Sequence, residues 1–156
     1  MNSAISRRAA LGALATLATL PWTARAQPAA PLVEVHKSPS CGCCKFWIKH
    51  LEANGFRVRT IEVADPSKVR ARLGMPEKYG SCHTAVVGGY LVEGHVPARD
   101  LKRLLETRPA ALGLAVPDMP IGSPGMDLPE YEGRKDRYDV LLVARDGTAR
   151  VWARYG

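Results

Sequence analysis

The sequence predicts an α/β protein with one mixed sheet, flanking helices, and a C-terminal loop and β-hairpin extension. Segments with strand alternation and segments with helical periodicity follow one another in the order β-α-β-α-β-β-α. This order places helices on the faces of a single sheet. After the third helix the pattern changes to a stretch rich in proline and glycine, followed by a hairpin pattern.

Each predicted element rests on a local signal. Cys44, Trp47 and Leu51 fall on one stripe of the first helix. Asp65 is the expected N-cap of the second helix, and Gly74 is its expected end. The elements up to the third helix are strands at residues 32–36, 56–63, 84–87 and 90–92 and helices at residues 43–54, 65–74 and 97–106. A βαβ unit followed by a hairpin and a covering helix is typical of a thioredoxin-like sheet.

The C-terminal part follows a different pattern. Residues 112–129 contain four prolines and three glycines, which predicts a loop without regular structure. A final β-hairpin is predicted from strands at residues 138–143 and 148–152, joined by a turn at Asp146-Gly147.

Residues 1–26 have the pattern of an export signal. Arg7-Arg8 precedes an apolar stretch, and Ala24-Arg25-Ala26 is a small-x-small cleavage site. Paired arginines are typical of a twin-arginine signal, and a Sec signal is the alternative. The apolar stretch is shorter than the roughly 18 residues of a membrane-spanning helix. We therefore expect a periplasmic protein without stable membrane insertion, cleaved after Ala26, with a single domain over residues 27–156.

The net charge of +7 says little about partners. The basic residues are scattered along the chain, which is more typical of solvated helix faces than of a nucleic-acid patch. The sequence also contains no nucleic-acid-binding motif, so we expect no nucleic acid as a partner.

Four cysteines provide the strongest chemical signal. Cys41, Cys43 and Cys44 lie at the start of the first helix, where free backbone amides and the helix dipole favour thiolate. Nearby lysines add positive charge, so depressed thiol pKa values are expected. Cys82 immediately precedes the third strand and is expected to face the other three. Convergent sulfurs of this kind suit a soft metal.

Copper(I) is the preferred metal. Cys43 and Cys44 are consecutive in a helix, so their side chains diverge by about 100° and would strain one tetrahedral ion. Thiolates that bridge several Cu(I) ions avoid this demand. Zinc is the alternative metal, and an iron–sulfur cluster ranks below it because the spacing matches none of its usual patterns.

Two hypotheses without a metal remain open. The first is a thiol–disulfide oxidoreductase with Cys41 as nucleophile and Cys44 as the resolving cysteine. The second is a small exported domain with Cys41–Cys44 and Cys43–Cys82 disulfides.

Further ligands are candidates of lower rank. The methionine loop, residues 117–126, carries Met119 and Met126, whose thioethers suit Cu(I). His83 adjoins Cys82 and is the third secondary candidate. His36 and His95 rank lower still, and His50 is expected to face solvent.

The assembled motifs resemble the CopG family of periplasmic copper-resistance proteins. This resemblance implies a thioredoxin-like fold, and copper handling with Cu(I) held by the four cysteines. It also implies redox chemistry on copper or thiols. Transfer of copper by ligand exchange would need a partner, for which another periplasmic copper-handling protein is the candidate. Asp118 departs from the glycine expected at its position. The motifs are Lys37-Ser38-Pro39-Ser40-Cys41-Gly42-Cys43-Cys44, Ser81-Cys82-His83-Thr84, Gly94-His95-Val96-Pro97 and residues 113–126.

Overall fold

Strands and helices alternate along the chain in the computed structural model, which describes residues 29–156. The predicted signal peptide therefore lies outside the described residues. The strands are β1 (Leu32–Lys37), β2 (Arg57–Glu62), β3 (His83–Val87), β4 (Tyr90–Glu93), β5 (Gly113–Ala115), β6 (Tyr138–Val143) and β7 (Ala149–Tyr155). The helices are α1 (Gly42–Ala53), α2 (Pro66–Leu73) and α3 (Ala98–Thr107), with short 3-10 helices at Glu77–Tyr79 and Pro129–Tyr131.

All seven strands belong to one mixed sheet in the order β2-β1-β3-β4-β5-β6-β7. β1 pairs with β2 in parallel and with β3 antiparallel, while β4 pairs with β3 antiparallel and with β5 in parallel. β6 and β7 complete the sheet as an antiparallel hairpin. The predicted α/β class, with a mixed sheet, flanking helices and a C-terminal hairpin, is confirmed.

One part of the C-terminal prediction is wrong. Residues 112–129 do not form an irregular loop throughout, because β5 lies at their start and joins β4 to the hairpin. The backbones of Gly113 and Leu91 approach so closely that a side-chain carbon on Gly113 would lie 1.8 Å from the Leu91 carbonyl oxygen. A three-residue strand of this kind is too short to show alternation in sequence.

Apolar clusters cover both faces of the sheet. Trp47 and Leu51 of α1 and Leu101 and Leu104 of α3 are completely buried in the larger cluster. Burying one such side chain contributes about 1.5–3 kcal/mol. A smaller cluster on the opposite face is built around Met75, just after α2. The sheet is thereby fixed from both sides, and the end at which α1 begins is held against it.

Helix ends follow the predicted chemistry at α2. Asp65 accepts a hydrogen bond from the Ser67 amide at 3.0 Å, and Gly74 adopts the left-handed conformation (φ 89°) that ends the helix.

His50 does not simply face solvent, as the sequence had led us to expect. It is half-buried, and its Nε2 accepts a hydrogen bond from the Ala98 amide at 3.1 Å. It therefore caps α3, whose N-cap, Pro97, supplies no side-chain acceptor.

Candidate metal centre

Three of the four cysteines begin α1. Cys41 is the N-cap residue and makes no side-chain capping bond, and the first turn contains no acidic residue. The free amides and the positive end of the helix dipole therefore face the sulfurs. Cys44 is completely buried, whereas Cys41 and Cys43 are half-buried. This end of the helix favours anionic sulfur.

Cys82 meets these three from the turn that precedes β3. Its Sγ lies 3.6 Å from Cys44 Sγ and 3.8 Å from Cys43 Sγ, while Cys41 Sγ and Cys43 Sγ are 3.6 Å apart. All four sulfurs lie within 4.8 Å of one another. The structure thus brings together the four cysteines that the sequence singled out.

Two of these sulfurs are bonded to each other. Cys41 and Cys44 form a disulfide, and Cys43 and Cys82 are free thiols. Of the two disulfides weighed from the sequence, only the first is present among the described residues. Before all four sulfurs can bind a metal as thiolates, two electrons must reduce this disulfide.

The Cys82 thiol does not follow the expectation of a depressed pKa. Burial, reinforced by the neighbouring Cys43 sulfur, raises the pKa of Cys82 to about 12. A metal that binds Cys82 must therefore displace a proton.

His95 lies against the same sulfur. Its Nε2 is 3.1 Å from Cys82 Sγ, and its Nδ1 is 2.8 Å from the Pro124 carbonyl oxygen. Because a carbonyl only accepts hydrogen bonds, Nδ1 carries the proton and the Nε2 lone pair faces the sulfur. The ring is completely buried, and burial lowers its pKa, which keeps it neutral. A neutral imidazole held by a backbone carbonyl has the arrangement of a metal ligand.

His83 lies on the inner side of Cys82. Its Nδ1 is 3.3 Å from Cys82 Sγ, and its ring packs 4.3 Å from the Trp47 ring. The side chain is completely buried, and its Nε2 has no hydrogen-bond partner within residues 29–156. Burial, with a smaller contribution from His95, holds the pKa of His83 well below its usual value. Cys82, His83 and His95 form a second group of potential ligand atoms within 4.8 Å.

The two methionine candidates differ. Met119 Sδ lies 3.9 Å from Cys43 Sγ at the mouth of the site, and the residue is 47% exposed. Met126 is buried, and its backbone closes the methionine loop through bonds with Ser123 and Gly122. Met119 is therefore placed to reach a metal, while Met126 packs as part of the loop.

The methionine loop touches the site mainly through its backbone. Pro124 holds His95, as described above. A side-chain carbon on Gly125 would lie 2.7 Å from the Trp47 amide nitrogen and 2.9 Å from the Cys43 carbonyl oxygen. The loop is thus seated directly on the first turns of α1.

An open cavity of about 440 Å³ leads to the sulfurs and is lined by Cys41, Cys43, Cys82 and Met119. A larger cleft of about 1100 Å³ lies between the methionine loop and the terminal hairpin, and no cysteine lines it. Because thiols are the reactive groups here, the smaller cavity marks the site.

His95 is the site residue that sequence reasoning ranked too low. Its contact with Pro124, 29 positions away, leaves no local pattern. The signal that marked it was the motif Gly94-His95-Val96-Pro97.

Known proteins match the chain in sequence and in structure. Residues 79–126 match a family of proteins of unknown function, DUF411. Among curated proteins, none matches the chain. Two solved structures are similar throughout the described fold. "Copper resistance protein copG- Form 2" is 50% identical, with a TM-score of 0.75, and the match covers 81% of this chain and 99% of that one. "Copper resistance protein copG- Form 1" is 52% identical, with a TM-score of 0.73, and the match covers 80% and 96%.

Proposed function

The chain belongs to the CopG family of copper resistance proteins, and from this premise we propose that it holds Cu(I) on Cys41, Cys43, Cys44 and Cys82. The observation that carries the proposal is the convergence of four sulfurs within 4.8 Å. The imidazole of His95 and the thioether of Met119 add further soft donors beside them. Thiolate, thioether and imidazole together suit Cu(I) better than a hard cation.

Several Cu(I) ions bridged by thiolates fit this donor set better than one ion. Cys43 has neighbouring sulfurs on three sides, from Cys41, Cys82 and Met119. Bridging allows one thiolate to serve more than one ion, whereas a single tetrahedral zinc would need Cys43 and Cys44 to converge from adjacent helix positions. The negative charge of the thiolates offsets the positive charge of the monovalent ions.

Copper is the cargo in this proposal, held for resistance or passed by ligand exchange to another copper-handling protein. The pair of arginines in the N-terminal segment supports export to the periplasm. Among the described residues, no helix combines the length and apolarity needed to cross a membrane.

A second candidate function is that of a thiol–disulfide oxidoreductase. The observation that favours it is the Cys41–Cys44 disulfide at the N-terminus of α1. Two electrons and two protons open this bond and yield two thiols. A redox enzyme would then pass these electrons and protons to a substrate disulfide, and the Cys41–Cys44 bond would form again. The proximity of Cys82 and His95 goes beyond what this chemistry needs.

Metal analysis of the reduced protein under anaerobic conditions tests the two candidates together. We expect more than one Cu(I) per chain after gel filtration, and displacement of bound Zn(II) by Cu(I). The protein is then assayed for catalysed reduction of a model disulfide. Zinc that Cu(I) cannot displace would contradict the copper assignment. Absence of bound copper together with disulfide turnover would make the protein an oxidoreductase.

A further inference from the structure

A buried carboxylate lies behind the turn that carries Cys82. Glu93, the last residue of β4, is completely buried. Its Oε1 accepts hydrogen bonds from the Ser81 amide at 2.8 Å and from Arg70 Nη1 at 3.1 Å, and its Oε2 accepts one from Thr84 Oγ1 at 2.6 Å. The charge of Glu93 is therefore paired, and both oxygens are satisfied, which is what a buried carboxylate requires.

Stability alone gives little reason for this arrangement. Arg70, on α2, is also buried, with 8% of its surface exposed. A buried ion pair of this kind often stabilises a protein no more than apolar residues of the same volume. The geometric effect of the pair is therefore the more informative property.

The pair holds the peptide groups on either side of Ser81. Glu93 accepts from the Ser81 amide, and Arg70 Nη1 donates to the Ser81 carbonyl at 3.3 Å. This carbonyl belongs to the peptide bond that leads into Cys82. On the other side of Cys82, Thr84 is bound to the same carboxylate. Cys82 thus lies between two residues, Ser81 and Thr84, that are both bound to Glu93.

The same segment also holds the methionine loop. Ser81 Oγ donates a hydrogen bond to the Asp118 carbonyl, and the Asp118 amide donates to the Gly80 carbonyl at 3.1 Å. Asp118 directly precedes Met119, whose sulfur faces Cys43. A shift of the Ser81 backbone would therefore move two sulfurs at once.

We propose that Glu93, paired with Arg70, is a positioning residue of the metal centre that fixes Cys82 Sγ and Met119 Sδ opposite Cys43. This inference rests on the proposed function and deepens it. Glu93 does not touch the metal. It holds the ligands in place before binding, so that less order is lost when the metal enters.

Two variants test this role with different risks. Glu93→Gln keeps the shape of the side chain but removes its charge, so Arg70 loses its partner. The double variant Arg70→Met/Glu93→Leu replaces the pair with apolar side chains and releases the Ser81 peptide without leaving a buried charge. Glu34→Gln is the matched control, since Glu34 pairs with Arg59 in a more exposed position on β1.

The first readout is Cu(I) affinity, measured by competition with a chromophoric chelator in the reduced protein, together with the Cu(I)–thiolate absorption spectrum. We expect affinity to fall about 10-fold in Glu93→Gln and further in the double variant, as for residues that orient ligands. The spectrum should change as well. The melting temperature of the double variant should fall, because the Ser81 amide and the Thr84 hydroxyl lose their acceptor, but the variant should remain folded. Glu34→Gln should match the parent in all three.

The second readout uses no metal. In the reduced, metal-free protein, alkylation of each cysteine is followed by mass spectrometry. In the double variant, Cys82 should be alkylated several-fold faster than in the parent, and Cys43 at the parent rate. This result would support the positioning role even if the parent binds no copper. Unchanged Cys82 alkylation with unchanged copper affinity in both variants would overturn it. If the double variant does not fold, unchanged affinity and spectrum in Glu93→Gln overturn it alone.

Discussion

The two sides of the metal centre are built differently. The thiol side consists of Cys41, Cys43, Cys44 and Cys82, and these side chains themselves meet. The methionine loop faces them with backbone groups, at Pro124 and Gly125, and with the half-exposed thioether of Met119. Sulfurs that can become thiolates on one side, and neutral, mostly backbone contacts on the other, predict a division of tasks. We expect the thiol side to bind copper and the loop to orient and cover it.

The thiol side should dominate binding, so substitutions there should have the largest effect. Cys43→Ser and Cys82→Ser should each lose at least one copper equivalent, because each removes a thiolate that lies between other sulfurs. Copper titration of the reduced protein measures this loss. Ser40→Ala, at the same cavity, is the control and should bind like the parent. Full stoichiometry and affinity in both cysteine variants would contradict the four-thiolate site.

A fall in pH should weaken metal binding by the thiol side and leave the thioether of the loop unchanged, because a thiol takes up a proton and a thioether does not. Cys82 has a pKa of about 12, so below that pH its proton must leave when metal binds. Copper affinity should therefore fall as pH falls, by about tenfold per pH unit for each proton displaced. Competition titrations between about pH 5.5 and pH 8, roughly the range in which proteins are most stable, give the slope. A flat profile would mean that no thiol proton is displaced.

His95 joins the two sides, and its variants should show an intermediate effect. His95→Asn keeps a donor for the Pro124 carbonyl but removes Nε2 from Cys82. Loss of a ligand or orienting group of this kind costs about 10- to 100-fold in metal affinity. The variant is compared with the parent by Cu(I) competition and by thermal melting. Parental affinity in a folded variant would show that His95 serves packing only.

Displacing the loop should alter copper exchange more than copper affinity. Gly125→Ala places a carbon against the Trp47 amide and strains a residue with φ of 88°, so the loop must move off α1. We expect a loss of about 1–3 kcal/mol in stability and faster transfer of copper to a chelator. Gly133→Ala is the matched control. It has a similar φ of 75°, but a carbon added there meets nothing within 4 Å. Equal transfer rates in the two variants would argue against a covering loop.

The smallest effects are expected for Met119→Leu and Met126→Leu. Both changes nearly conserve volume and should cost less than about 1.5 kcal/mol in stability. The copper count should stay the same, with a change in exchange rate for Met119 alone, because its sulfur is the one near Cys43. Loss of a copper equivalent in either variant would place that methionine among the ligands and would remove the distinction between the two sides.

Elements with local signals could be predicted from sequence. Asp65 and Gly74 set the ends of α2 through their own backbone and side-chain preferences, and the hairpin turn at Asp146-Gly147 was equally local. β5 could not be predicted, because three residues show no period and their strand partners are distant in sequence. Its place in the sheet is decided by tertiary pairing.

The site was predictable to a similar degree. The spacing of Cys41, Cys43 and Cys44 on a helix start, with Cys82 before a strand, was enough to place four sulfurs together. The position of the proton on His95 could not be predicted, because it depends on a carbonyl in a distant loop. Burial of Cys82 likewise reversed the expected direction of its pKa shift, since desolvation depends on packing and not on neighbouring residues in sequence.

The sheet that carries this centre stays open, with β2 at one edge and β7 at the other. Open edges can recruit strands from other molecules and so lead to aggregation. Both edges carry exposed arginines, Arg57 and Arg59 on β2 and Arg150 and Arg154 on β7, of which Arg59 pairs with Glu34 and Arg154 with Asp139. When two molecules approach edge to edge, these like charges repel each other. We therefore expect the positive charge at the two edges to disfavour edge-to-edge association.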